Sequence, residues 1–160
     1  MLQTPQFIQG LVQSGSATAL FLPAAIFVIA AFLSFSTGTA WGTFGILIPI
    51  MVPITHSVMP DMMIVALSAT LAGSVFGDHC SPISDTTILS SAGSGCNHID
   101  HVSTQLPYSL TVATCAMAGY LVAGFTHGSW IASFGTSVVL MLVAVTMLHM
   151  RHSKAAKAQA

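Results

Sequence analysis

The sequence predicts an all-α membrane protein, and three observations carry that prediction. Only 4% of its 160 residues are charged while 54% are apolar, and the mean hydropathy is +0.84. Apolar runs recur at lengths near a bilayer crossing, and they are interrupted by short islands of Gly, Pro, Ser, Thr and Asp. A soluble domain carries about a quarter of its residues as charges, whereas this chain has three cations and four anions. That is too little charge to keep a folded surface in water, so lipid is the solvent. One helical crossing takes roughly 20 apolar residues, so the chain supplies about four or five passes. A net charge of −1 with no basic cluster ahead of the tail excludes nucleic acid as a partner. Cys80, Cys96 and Cys115 are odd in number and widely spaced, so no disulfide framework follows.

The elements follow in chain order. Residues 1–16 are polar and Gln-rich and read as a loop or interfacial segment, ahead of a transmembrane domain over 17–150. An apolar run over 17–35 ends where small and hydroxyl residues replace aliphatics, over 36–43. The next apolar run, 44–54, holds Pro49 and Pro53 and is only 11 residues long, too short to cross alone. Residues 17–54 therefore read as a re-entrant helical hairpin whose tip is the Ser/Thr/Gly island.

A second unit, 61–91, opens at Pro60-Asp61, a helix-start signal. Ala69, Gly73 and Gly77 fall four apart, a stripe that admits another backbone closely. The run then breaks at Gly77-Asp78-His79-Cys80-Ser81-Pro82-Ile83-Ser84-Asp85-Thr86-Thr87. Irregular backbone at membrane depth survives only where protein or a wet cavity satisfies it, so this reads as a broken helix. Residues 93–105 read as a polar connection. Two full spans follow at 106–125 and 130–150, with Trp130 an interfacial anchor. The cations Arg151, Lys154 and Lys157 all lie in the tail 151–160, which places the C-terminus in the cytoplasm. Counting spans back leaves Met1 outside with nothing to carry it there, so further membrane segments upstream are expected.

Asp78 and Asp85 are the sharpest chemical signal. An ionised carboxylate inside a membrane segment costs at least about 2.5–3.5 kcal/mol and marks an ion pathway by default. With no Lys or Arg nearby in the chain, the offset must be a proton, a bound cation or a partner segment. Either aspartate also suits a helix N-cap after the break, and capping coexists with ion binding. Ser81, Ser84, Thr86 and Thr87 add hydroxyl oxygens, the donor type that small hard cations take from unwound membrane helices. Ser36, Thr37, Thr39 and Thr43, with Gly38 and Gly42, make a second polar island. The Gly38/Gly42 spacing alone would also serve helix packing. Cys96, His98, Asp100 and His101, with His79 and Cys80, match no closed zinc motif, while His98 and His101 would also suit a proton sensor.

Two stretches resemble the NhaC-type sodium/proton antiporters, a family that includes malate/lactate antiporters. One is Phe76-Gly77-Asp78-His79-Cys80-Ser81-Pro82-Ile83-Ser84-Asp85-Thr86-Thr87, continuing through Cys96-Asn97-His98-Ile99-Asp100-His101 to Thr104-Gln105-Leu106-Pro107-Tyr108. The other is Ser36-Thr37-Gly38-Thr39-Ala40-Trp41-Gly42-Thr43. The resemblance covers roughly residues 15–125. It implies an ion-transporter fold of two inverted repeats, each with a hairpin and a broken helix meeting near the midplane. This chain supplies one repeat, so the resemblance implies the C-terminal portion of a transporter.

The expectation is therefore a multi-pass protein of the cell (inner) membrane that performs sodium/proton antiport, with no cofactor beyond the transported Na⁺ and H⁺. Asp78, Asp85, Ser36, Thr37, Thr39, Ser81, Ser84 and Thr86 form the expected ion or substrate site, with Asp85, Ser84, Thr86 and Thr37 the closest Na⁺ ligands. A missing N-terminal repeat or a second subunit completes it, and a homo-oligomer is compatible. The alternatives are organic-acid exchange of the malate/lactate kind, an intramembrane metal enzyme, and a non-transporting truncated or accessory subunit.

Overall fold

The computed structural model describes residues 16–158, and among these there is helix and no strand. The helices are α1 (Ser16–Thr37), α2 (Ala40–Val58), α3 (Met63–Cys80), α4 (Asp85–Gly93), α5 (His98–Phe125) and α6 (Trp130–Ala158), with a 3₁₀ turn at Pro60–Met62 before α3. Among the described residues, five stretches are long and apolar enough to cross a membrane: Leu20–Thr37, Ala40–Ser57, Pro60–Cys80, His98–Phe125 and Trp130–Met150. Large apolar side chains such as Phe32, Trp41 and Leu89 are exposed on the chain's surface, where water would penalise them and lipid does not. The chain is an all-α membrane protein. Most of the polar segment expected over 1–16 lies outside the described residues, as do the side chains of Arg151, Lys154 and Lys157.

Close backbone approach organises the core. α1 and α3 run parallel, meeting at Phe27 with Gly73, at Ala31 with Gly77 and at Phe35 with Ser81. A Cβ on Gly77 would press on the Ala31 carbonyl and lie 2.8 Å from Phe35 N, and one on Gly73 would press on the Phe27 carbonyl. The stripe of Ala69, Gly73 and Gly77 is thus the seat of α1, and Ala69 is fully buried. α5 returns antiparallel, setting Tyr120 against Phe27 with ring centroids 5.4 Å apart and ring planes tilted by 35°. Its Tyr120 hydroxyl meets Ser68 Oγ on α3 at 3.0 Å. α6 packs on the far side of α5, where Gly119 leaves room for Ser133 and Ser137.

Two local expectations are corrected. α2 does not stop at its prolines: it runs 19 residues through Pro49 and Pro53. Each proline removes one N–H from the ladder, a loss that a bent helix absorbs. The second arm of the hairpin is therefore long enough to cross, and its length no longer requires a re-entrant turn. Residues 93–105 are also not wholly a connection. Asn97 caps α5, accepting from Ile99 N–H at 2.9 Å and Asp100 N–H at 3.4 Å, so the helix starts at His98, ahead of the apolar span.

Candidate functional site

Asp78 lies in the last turn of α3 and is 3% exposed. Its carboxylate is held from the start of α4, across the four-residue break. Ser84 Oγ donates to Oδ1 at 2.8 Å and Thr86 Oγ1 donates to Oδ2 at 2.8 Å. The two hydroxyls are themselves 2.8 Å apart, and Ser84 Oγ also accepts the Thr87 N–H at 3.3 Å as the N-cap of α4. Ser84 is fully buried. Because α4 begins here, its positive dipole end faces the same carboxylate. A backbone break is what allows this geometry. In a continuous helix residues 78 and 84 would project in divergent directions, whereas the turn at Ser81–Ser84 folds the next helix start back onto Asp78.

The helix-α1 tip seats against this break. Ser81 Oγ donates to the Phe35 carbonyl at 2.8 Å, and the Asp85 N–H donates to the Gly38 carbonyl at 3.4 Å. Gly38 ends α1 at φ +68°, and a Cβ there would lie 2.7 Å from the Ile83 carbonyl oxygen. The convergence of tip and break expected from the sequence is therefore present, made by backbone and Ser81.

The other expected site residues divide. Ser81, Ser84 and Thr86 stand with Asp78. Asp85 is exposed on the chain's surface, and its Oδ1 accepts the Thr86 N–H at 2.7 Å. Ser84 and Thr86, expected beside Asp85, direct their hydroxyls to Asp78. Ser36 Oγ donates to the Phe32 carbonyl at 2.8 Å, and Thr37 Oγ1 donates to the Leu33 carbonyl at 2.9 Å. Thr39 Oγ1 caps α2 by accepting the Gly42 N–H at 3.4 Å. Thus the tip hydroxyls serve local helix bonds, and Thr37 also reaches Thr43 Oγ1 at 3.5 Å.

Ser34, absent from the expected set, is fully buried near the tip with a hydroxyl that has no hydrogen-bond partner among the described residues. A serine inside an apolar run carries little signal in a sequence. Thr43 is also fully buried. The His98 ring, which bonds Ser91 and the break, is the other polar contact the sequence left unconnected. Among the described residues no group of three or more His, Cys, Asp or Glu side chains gathers as a metal site.

The sequence model of the Na⁺/H⁺ antiporter family matches residues 1–125. An uncharacterised protein of Haemophilus influenzae is 51% identical over 90% of the chain and 27% of its own length. The malate-2H⁺/Na⁺-lactate antiporter of Bacillus subtilis is 34% identical over 69% of the chain and 23% of its own length. The arginine/ornithine antiporter ArcD of Halobacterium salinarum is 38% identical over 65% of the chain and 22% of its own length. The chain thus spans about a quarter of the length of these curated relatives. No solved structure matches it.

Proposed function

Since the chain belongs to the Na⁺/H⁺ antiporter family, we propose that it forms part of a secondary transporter in which Asp78 exchanges a proton for Na⁺. A count of protons among three groups carries the reading. The Asp78 carboxyl, Ser84 Oγ and Thr86 Oγ1 make three mutual contacts of 2.8 Å. Two hydroxyls supply two protons. With Asp78 ionised, both are spent on the carboxylate and the Ser84–Thr86 contact has none. With Asp78 protonated, Oδ2–H donates to Thr86, Thr86 to Ser84 and Ser84 to Oδ1, and the ring closes. Loss of that proton leaves a carboxylate with two hydroxyl oxygens beside it, an all-oxygen set that a hard monovalent cation fills at equal charge. One proton replaces one Na⁺, and the buried site keeps its charge balanced in both states.

Asp85, Ser36, Thr37 and Thr39 take supporting places in this proposal, at the mouth of the break and at the tip. A cognate membrane unit covers the exposed Asp85 side of the site. The exposure of Asp85 and the quarter-length match to the relatives support that completion, whether the unit is another part of the same polypeptide, a second subunit or a second copy. The basic tail lies on the cytoplasmic face of the cell membrane, in keeping with the positive-inside tendency. A second reading, exchange of a small organic acid with H⁺ and Na⁺, draws on the likeness to the malate-2H⁺/Na⁺-lactate antiporter and on the α4 N-terminus as a carboxylate seat.

The test is Na⁺-driven proton movement, read with a pH-sensitive dye in membrane vesicles from cells that express the chain in its native genomic context. Asp78→Asn abolishes the exchange and Asp85→Asn retains it in part. Unaltered exchange in Asp78→Asn removes Asp78 as the carrier. Counterflow of labelled malate, in the same vesicles, separates the second reading from the first.

A further inference from the structure

A second proton count arises at His98, the first residue of α5. Its Nε2 lies 2.7 Å from the Pro82 carbonyl in the break. A carbonyl only accepts, so Nε2 carries a proton. Its Nδ1 lies 3.1 Å from Ser91 Oγ, near the end of α4. The Ser91 hydroxyl in turn donates to the Ile88 carbonyl at 2.9 Å, which uses its single proton. For all three contacts to be made together, Nδ1 must donate as well. A neutral imidazole and one hydroxyl bring two protons to three contacts, whereas an imidazolium brings the third.

We infer that His98 is a proton-operated clasp that positions α4 against the break. One ring joins three elements: α5 through its own backbone, the break through Pro82, and α4 through Ser91. Ser91 is 3% exposed, and its carbonyl is held further by the Cys96 N–H at 3.1 Å. When the ring gives up its Nδ1 proton, Ser91 Oγ has one proton for two acceptors, Nδ1 and the Ile88 carbonyl, so either the bridge to α4 or the bond within α4 is lost. Because α4 also carries Ser84 and Thr86, its seating decides how well the two hydroxyls meet Asp78. That link to exchange rests on the reading of Asp78 above, but the clasp itself does not.

The other titratable groups on the elements around His98 are Asp85 on α4, Asp100, His101, Tyr108, Cys115 and Tyr120 on α5, Cys96 in the connecting turn, and Asp78, His79 and Cys80 on α3; α1 has none. Of the two histidines on α5, His98 is the one whose ring bridges to other elements. Protonation of His98 thus supplies a donor for a defined acceptor, which a general change in surface charge would not.

Hydrogen–deuterium exchange of the full chain in detergent reads this without any transport. After correction for intrinsic exchange, amides of residues 85–93 are expected to open about fivefold more readily at about pH 8 than at about pH 5.5, the range in which histidine changes charge. In His98→Gln, which keeps one donor and one acceptor but cannot titrate, the ratio falls to one. An unchanged ratio in His98→Gln, or no pH dependence in the native chain, overturns the clasp. Nitrogen-15 spectra of the native protein cover the case in which the variant misfolds. Both His98 ring nitrogens should be protonated while α4 is protected, and a neutral ring under a protected α4 contradicts the proposal. Vesicles lacking Na⁺-driven proton movement alongside a pH-dependent α4 would refute the transport reading and leave the clasp standing.

Discussion

Gly77→Ala probes the contact on which the site's assembly depends. The added methyl would press on the Ala31 carbonyl and sit 2.8 Å from Phe35 N. Both are backbone atoms of α1, so neither can swing aside as a side chain would. Ordinary carbon contacts begin near 3.5 Å, so α1 and α3 must part by roughly 1 Å or more. Overpacking of this kind costs about 1–3 kcal/mol. The strain falls one turn before Ser81, whose Oγ bonds the Phe35 carbonyl at 2.8 Å, so the tip and the break separate first. Cys80, buried at the end of α3 beside Ser109 of α5, reports any loosening of this end of the helix. Its alkylation in purified protein, followed by peptide mass spectrometry, should accelerate by about fivefold to a hundredfold, the factor those energies represent. Gly45→Ala is the control, because nothing lies within 4 Å of a Cβ there; it should be neutral or stabilise α2 by up to about 1 kcal/mol. If Gly77→Ala leaves both the Cys80 rate and the unfolding temperature at native values, α1 does not lie on this stripe and the seam between tip and break is misassigned.

Other substitutions probe other links. Thr86→Val removes one hydroxyl from Asp78 and should weaken half-saturation by Na⁺ about tenfold in the vesicle assay, since bonds to charged groups are worth about 1.5–3 kcal/mol. Ser84→Ala removes the other hydroxyl together with the α4 N-cap, adding about 1 kcal/mol of helix destabilisation, so it should lower both Na⁺ affinity and thermal stability. Gly38→Ala forces a side chain into a positive-φ position beside the Ile83 carbonyl and should cost about 1–2 kcal/mol by thermal denaturation in detergent. A double-mutant cycle of Ser68→Ala with Tyr120→Phe should return about 1 kcal/mol of coupling for their 3.0 Å bond.

Much of the fold was legible because membrane physics leaves few choices. The Pro-centred break and the small-residue stripe at Ala69, Gly73 and Gly77 each pointed to a contact that the structure contains. The meeting of the tip with the break was implied by the family resemblance, in which a hairpin and a broken helix meet near the midplane. Other features could not be read in this way. The prolines of α2 look like stops, yet a helix held by neighbours tolerates them. The start of α5 was hidden because residues 98–105 are too polar to continue the apolar span, and only the Asn97 cap announces the helix. At the site, composition identified carboxylates and hydroxyls without assigning partners. The chain turns by four residues between α3 and α4, and that turn directs Ser84 and Thr86 to Asp78, six and eight positions back, while the exposed Asp85 accepts the neighbouring Thr86 N–H. The tip hydroxyls of Ser36 and Thr37 were chosen for their oxygen, but a serine or threonine near a helix end readily bonds its own backbone.

Proton release from purified protein on addition of Na⁺, in a weakly buffered detergent solution, tests the exchange at Asp78 most directly. Native protein and Asp85→Asn should each release protons as Na⁺ binds, and Asp78→Asn should release none. Release that persists in Asp78→Asn, or Na⁺ binding to the native protein with no proton set free, would contradict exchange at this carboxyl.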